Sequence, residues 1–140
     1  MIGEGAWWMA TAAIVSGLIT TAIPGFLPHK RTADFFEVHE IYAQRAGTGA
    51  DMYVDRTIKA PVQMSFVVRI LGWTGAGWKQ VCIMEGGPLL YRPDAVIDNP
   101  VSLDWWTNGK CPELPSGRAM IETTWKPVGL APLTVSVEVE

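Results

Sequence analysis

The stretch Leu133-Thr-Val-Ser-Val-Glu-Val-Glu140 alternates apolar and polar side chains along its whole length. Successive side chains of a β-strand point to opposite faces, so this period of two is typical of a strand with one buried face. The same period appears in residues 62–70, where Gln63, Ser65 and Arg69 separate apolar residues. These two stretches predict a sheet in the C-terminal part of the chain.

Shorter signals between and around these stretches predict further strands and tight turns. Residues 78–84 and 119–123 have the composition of strands, and Asn108-Gly109 is a two-residue turn signal. Proline interrupts the region too often for long helices, at positions 88, 93, 100, 112, 115, 127 and 132. We therefore predict that residues 51–140 form a small antiparallel β-rich or extended region outside the membrane.

Residues 29–50 are predicted to form a junction and a short amphipathic helix. Thr32 suits the N-cap of this helix and Gly47 suits its end. Apolar side chains recur near helical spacing along one stripe, at Phe35, Val38, Ile41 and Tyr42.

The N-terminal part of the chain has the composition of a membrane-spanning segment. No charged side chain lies between Glu4 and His29, and most of residues 6–27 are apolar. About 20 helical residues cross a hydrocarbon core of about 30 Å. Residues 1–28 are therefore predicted to form a transmembrane anchor.

The flanks of this segment suit the two membrane interfaces. Trp7 and Trp8 have the character of an aromatic belt, and Lys30 and Arg31 suit lipid phosphates. A removable secretory signal is the alternative interpretation. Such a signal normally begins with positive charge and has an apolar core of about 7–15 residues, and this segment has neither property. A buried helix of a soluble protein is a further alternative.

Charge and tryptophan content indicate the class of partner. Eleven Lys and Arg residues against 14 Asp and Glu residues give a net charge of -3, which argues against nucleic acid. Seven tryptophans are many for 140 residues. Tryptophan is enriched at protein interfaces, so we expect some of those outside the anchor to face protein partners. These are Trp73, Trp78, Trp105, Trp106 and Trp125.

The two cysteines, Cys82 and Cys111, leave two interpretations open. In an oxidising compartment they can form a disulfide, which the chain-entropy model values at about 3–4 kcal/mol. Otherwise they are two reduced thiols. Their spacing to the histidines does not match a metal site.

No catalytic, cofactor-binding or metal-binding site is predicted. His29 and His39 are the candidate general bases, and neither lies in a recognisable motif with a nucleophile. The turn at residues 72–77 lacks the glycine spacing and the lysine of a phosphate-binding loop. We therefore expect no cofactor and no small-molecule substrate. An enzyme whose site is assembled only by the fold is the open alternative.

The order of features over residues 7–60 resembles the MWFE-type accessory subunit of mitochondrial respiratory complex I. The counterparts are the anchor, the junction His29-Lys30-Arg31 and a short polar helix, His39-Glu40-Ile41-Tyr42-Ala43-Gln44-Arg45. Gly49-Ala50-Asp51-Met52-Tyr53 also resembles a Gly-x-Asp-x-Tyr stretch of animal members. From Val62 onward the chain has no counterpart in that family.

This resemblance implies a non-catalytic accessory subunit of a mitochondrial inner-membrane respiratory complex, with a single-pass topology. Its partners would be other subunits of the complex and membrane lipids. The corresponding fold class is a membrane-anchored α+β chain with one transmembrane helix, a short amphipathic helix and a β-rich region. The alternative function is a stand-alone membrane-anchored binding domain that faces a periplasm or the cell exterior.

Overall fold

Two antiparallel β-sheets make up residues 30–140, the part of the chain that the computed structural model describes. The first sheet has the order β1-β2-β5 and contains β1 (Phe36–Ala46), β2 (Gly49–Ile58) and β5 (Val101–Ser102). The second has the order β4-β3-β6-β7 and contains β3 (Val62–Trp73), β4 (Trp78–Tyr91), β6 (Ala119–Pro127) and β7 (Leu133–Glu138). A 3-10 turn at Thr32–Asp34 precedes β1, and a single helical turn, α1 (Leu103–Trp106), follows β5.

The predicted amphipathic helix over residues 29–50 is wrong, because most of that range forms β1 and its hairpin to β2. A β-bulge at His39 shifts the register between Val38 and Glu40. Before the bulge Phe36 and Val38 face inward, and after it Ile41 and Ala43 do. The added residue puts the two halves of the strand out of phase, and the combined spacing imitates helical periodicity.

The predicted fold class, a membrane-anchored α+β chain, is also corrected. Strands hold 58% of the described residues and helical turns 6%. Within residues 30–140, no helix has the length and apolar character needed to cross a membrane. The predicted anchor at 1–28, with Trp7 and Trp8, lies outside the described residues. The prediction of a single-pass protein of the mitochondrial inner membrane is corrected by the same finding and is not carried forward.

The two sheets share one apolar core, in which aromatic rings join the sheets. Trp125 of β6 is 2% exposed, and its ring centroid lies 5.0 Å from that of Phe36 on β1. The Trp106 ring of α1 meets Trp125 edge-on at 6.2 Å. The Trp106 indole N–H donates to the hydroxyl of buried Thr123 at 3.1 Å, so its polar atom is paired inside the core.

One side of the two sheets is closed by backbone hydrogen bonds. The Arg45 N–H donates to the Glu140 carbonyl, and the Glu140 N–H donates to the Ala43 carbonyl, both at 3.0 Å. The chain just after β7 thus joins β1 of the first sheet to the second sheet. The opposite side, between β4 and the β2–β5 edge, has no such ladder in the described part of the chain. We call this gap the seam.

Residues 101–118, the closing segment, fill the seam with side chains. Leu103 and Cys111 are almost fully buried, and Leu114 is nearly so. The Thr107 hydroxyl donates to the Leu103 carbonyl at 2.9 Å and accepts the Cys111 N–H at 3.0 Å. The closing segment therefore has its own internal hydrogen bonds while it covers the core.

Substitution of Gly49 by alanine tests the contact between β2 and the closing segment. A Cβ atom at Gly49 would lie 2.6 Å from the Pro112 carbonyl oxygen, which is backbone and cannot rotate away. We expect Gly49→Ala to lower the free energy of unfolding by about 1–3 kcal/mol in urea denaturation.

Gly77→Ala is the matched control, since a Cβ atom there meets nothing within 4 Å. It should stay within about 0.5 kcal/mol of the parent chain, as surface substitutions usually do. Equal effects of the two substitutions would contradict the described packing of Gly49 against the closing segment.

Candidate functional site

The most prominent surface feature of the described chain is the outer edge of β4. β4 pairs with β3 along one side, and its other side makes no backbone hydrogen bond with residues 30–140. The strand is 14 residues long. An unpaired strand edge presents a row of N–H and C=O groups to which another chain can add.

Exposed large apolar side chains concentrate on β4 and on the residues that follow it. Leu89 and Leu90 are 54% and 48% exposed, and Trp105 on α1 is 62% exposed. Six of the eight large apolar residues that are exposed in the described chain belong to this group: Val81, Ile83, Leu89, Leu90, Val96 and Trp105. This concentration of apolar side chains is typical of an interaction surface.

We expect some of the five tryptophans outside the predicted anchor to face protein partners. Their side chains differ widely in exposure. Trp125 is a core residue, whereas Trp105 is the most exposed. Trp73 and Trp78 pair across the β3–β4 hairpin with ring centroids 5.3 Å apart. Sequence composition did not distinguish these environments.

The Trp73–Trp78 pair already makes a cation–π contact with an arginine of its own chain. The Arg118 guanidinium carbon lies 4.9 Å and 5.1 Å from the two ring centroids. The guanidinium also donates two hydrogen bonds to the Glu138 carboxylate, at 2.9 Å and 3.2 Å. These hydrogen bonds raise the pKa of Arg118. Both the charge and the hydrogen-bond donors of Arg118 have partners within this cluster. We therefore assign the cluster a structural role at the end of the second sheet.

Cys82 and Cys111 form a disulfide that spans the seam, with a Cα–Cα distance of 6.0 Å. Cys82 lies on β4 and Cys111 is buried in the closing segment. The bond therefore fastens the edge strand to the residues that cover the core.

A second contact crosses the seam near the other end of β4. Arg56 on β2 faces inward, and its guanidinium carbon lies 5.4 Å from the ring centroid of Tyr91, the last residue of β4. Burial lowers the pKa of Arg56 and raises the pKa of Tyr91. The Asn99 side chain pairs with the backbone N–H and carbonyl of Val54, both at 2.9 Å, as a neighbouring strand would.

The other residues selected from the sequence do not converge on a site. Lys30 lies over the Phe35 ring at 5.8 Å, and Arg31 forms an exposed ion pair with Asp34. His39 shares an exposed hydrogen bond of 2.7 Å with Thr57 on the outer face of the first sheet. His29 lies outside the described residues.

An open depression of about 410 Å³ lies beside Lys30 and Phe35, between the start of β3 and the β6–β7 turn. Its lining combines apolar side chains with the polar side chains of Lys30 and Gln63. Across residues 30–140, no group of three His, Cys, Asp or Glu side chains could hold a metal ion. The free edge of β4 and its apolar neighbours are therefore the candidate functional site.

Removal of the disulfide tests how the seam is held. Cys82→Ala/Cys111→Ala should lower the free energy of unfolding by about 3–4 kcal/mol, because the unfolded chain regains the entropy of an open loop. Urea denaturation measures this change. Under reducing conditions the parent chain should have the same free energy of unfolding as the double variant. Reductant should not change the free energy of unfolding of the double variant. A parent chain with the same stability in oxidant and reductant would contradict the account.

Comparison of the whole chain with protein-family models, with curated proteins and with solved structures gives no match.

Proposed function

We propose that the described domain is a non-catalytic protein-binding domain that receives an extended segment of a partner protein along β4. The observation that carries this proposal is the free backbone edge of β4 with exposed apolar side chains along it. In strand addition, main-chain hydrogen bonds provide affinity and alternate side chains provide specificity.

The register of β4 limits where a partner strand can pair. Irregularities opposite Ile70–Leu71 and Met64–Phe66 interrupt the ladder with β3. Pro88 has no N–H to donate. The longest regular run between these interruptions is Cys82–Gly86, which pairs with β3 without a break. We place the core of the proposed pairing at this run.

The disulfide supports an assignment of this function to one kind of cellular compartment. Disulfides form and persist in oxidising compartments, such as a periplasm or the cell exterior. The Cys82–Cys111 bond holds the edge strand against the core, so reduction would weaken the surface that we propose for binding. The proposal therefore includes an oxidising compartment.

The role as an accessory subunit of a respiratory complex stays a prediction. Two of the stretches that carry the MWFE-type resemblance, residues 39–45 and 49–53, lie in β1 and β2. The resemblance implied a short polar helix for the first of these stretches. The free edge of β4 lies in the part of the chain that has no counterpart in that family, so the binding proposal rests on different residues.

Site-specific photo-crosslinking in the native host tests the proposal. A photoreactive phenylalanine analogue at Ile83, on the exposed edge strand, should give one discrete adduct. Mass spectrometry should map the adduct to an extended segment of the partner. Ile83→Lys combined with Leu90→Lys should reduce co-purification of that partner at least about tenfold, because both substitutions place charge on the apolar edge.

Asp55 is the control position, since its side chain is exposed on the outer face of the first sheet. The analogue at Asp55 should leave the partner unlabelled. Equal labelling from both positions, or no adduct from Ile83, would count against β4 as the binding site.

A further inference from the structure

Arg56 is a half-buried cation on the inward-facing side of its strand. On β2 it lies between inward-facing Val54 and Ile58, both buried, and opposite Val38 on β1. This face of a strand normally carries apolar side chains, as the other residues of β2 with the same orientation do. The position of Arg56 therefore needs a partner for its charge.

No described residue supplies that partner. The Nε atom of Arg56 is buried without a hydrogen bond, and the ion pairs of residues 30–140 do not include Arg56. The guanidinium lies over the face of the Tyr91 ring. Buried polar groups are almost always hydrogen-bonded, and an exception calls for an explanation.

Other arginines of the described chain show the usual arrangement. Arg69 donates to Glu122 at 2.6 Å and to Gln80 at 2.8 Å. Arg118 is held by Glu138, and Arg45 donates to two backbone carbonyls. Arg56 differs from these because it has an aromatic neighbour and no acceptor.

We propose that Arg56 binds a carboxylate group, with Tyr91 holding the guanidinium in place. The guanidinium presents a planar fork of N–H donors that matches a carboxylate with two parallel hydrogen bonds. An anion there would pair with the guanidinium, whose Nε–H is buried without an acceptor, and balance its charge.

Two sources of the carboxylate fit this position. One is a small free carboxylic acid. The other is the C-terminus of a segment bound along β4, since Tyr91 ends β4 and lies beside Arg56. The second source rests on the proposed function, whereas the first does not.

Titration of the full chain, labelled with ¹⁵N, tests the carboxylate site. Sodium acetate should shift the backbone amide resonance of Tyr91 in a saturable way, and sodium chloride at the same ionic strength should not. Arg56→Lys keeps the charge and loses the fork, so we expect acetate affinity to fall at least about tenfold. Arg69→Lys is the matched control and should keep the acetate response, because Arg69 already has its acceptors.

The melting temperature of Arg56→Met is a second readout. It should fall if the role of Arg56 is purely structural. Methionine fills similar space without an unpaired charge, so its melting temperature in chloride should equal or exceed that of the parent chain. Equal shifts with acetate and chloride, unchanged acetate affinity in Arg56→Lys, or a lower melting temperature for Arg56→Met would each overturn the proposal.

A decapeptide of alternating valine and threonine separates the two sources, since at about 3.3 Å per residue it reaches from Tyr91 past Ile83. If the carboxylate comes from a bound segment, the peptide with a free C-terminus should bind at least about tenfold tighter than its amide, and the Ile83 resonance should shift as well. Acetate binding without a shift of Ile83 by the peptide supports the free acid as the source and counts against binding along β4. Equal binding of both peptides with a shift of Ile83 supports binding along β4 and overturns the C-terminal source.

Discussion

The asymmetric closure of the two sheets is the constraint on which the surface of this domain depends. On one side, backbone hydrogen bonds join Ala43 and Arg45 of β1 to Glu140, which follows β7 of the other sheet. On the seam side, side chains and one disulfide provide the closure in place of a ladder. The core is covered on both sides, but on the seam side the backbone edge of β4 keeps its hydrogen-bonding capacity.

The closing segment makes this arrangement stable without pairing to β4. Leu103 and the Trp106 ring enter the core from α1, and complete burial of an apolar side chain is worth about 1.5–3 kcal/mol. The Cys82–Cys111 bond then fixes the segment to the edge strand. The same bond connects stability with the proposed function, because it holds β4 in the position where a partner strand could add. Arg56 and Tyr91 form the second crossing of the seam, and there the fold leaves a buried donor without an acceptor.

Local alternation in the sequence was enough to place strands at residues 62–70 and 133–140, since each side chain there faces the core or the solvent in turn. The sequence of β1 imitates a helix because the bulge at His39 breaks its period of two. The free edge of β4 could not be predicted from the sequence. A strand becomes an edge only through the long-range pairings of its sheet, and the exposed apolar residues of β4 resemble those of a buried strand. The unusual position of Arg56 could not be predicted from the sequence for a similar reason. It depends on a contact with Tyr91, and Tyr91 lies 35 positions away in the chain.

Hydrogen–deuterium exchange of the isolated full chain, resolved to single amides, tests the central claim most directly. Amides of an antiparallel edge strand point alternately toward the neighbouring strand and toward solvent. The account predicts that the β4 amides directed away from β3 exchange rapidly, while amides of β3, which is paired on both sides, exchange slowly. Uniformly slow exchange along Cys82–Gly86 would contradict it, because the edge that we propose for a partner would then already be covered.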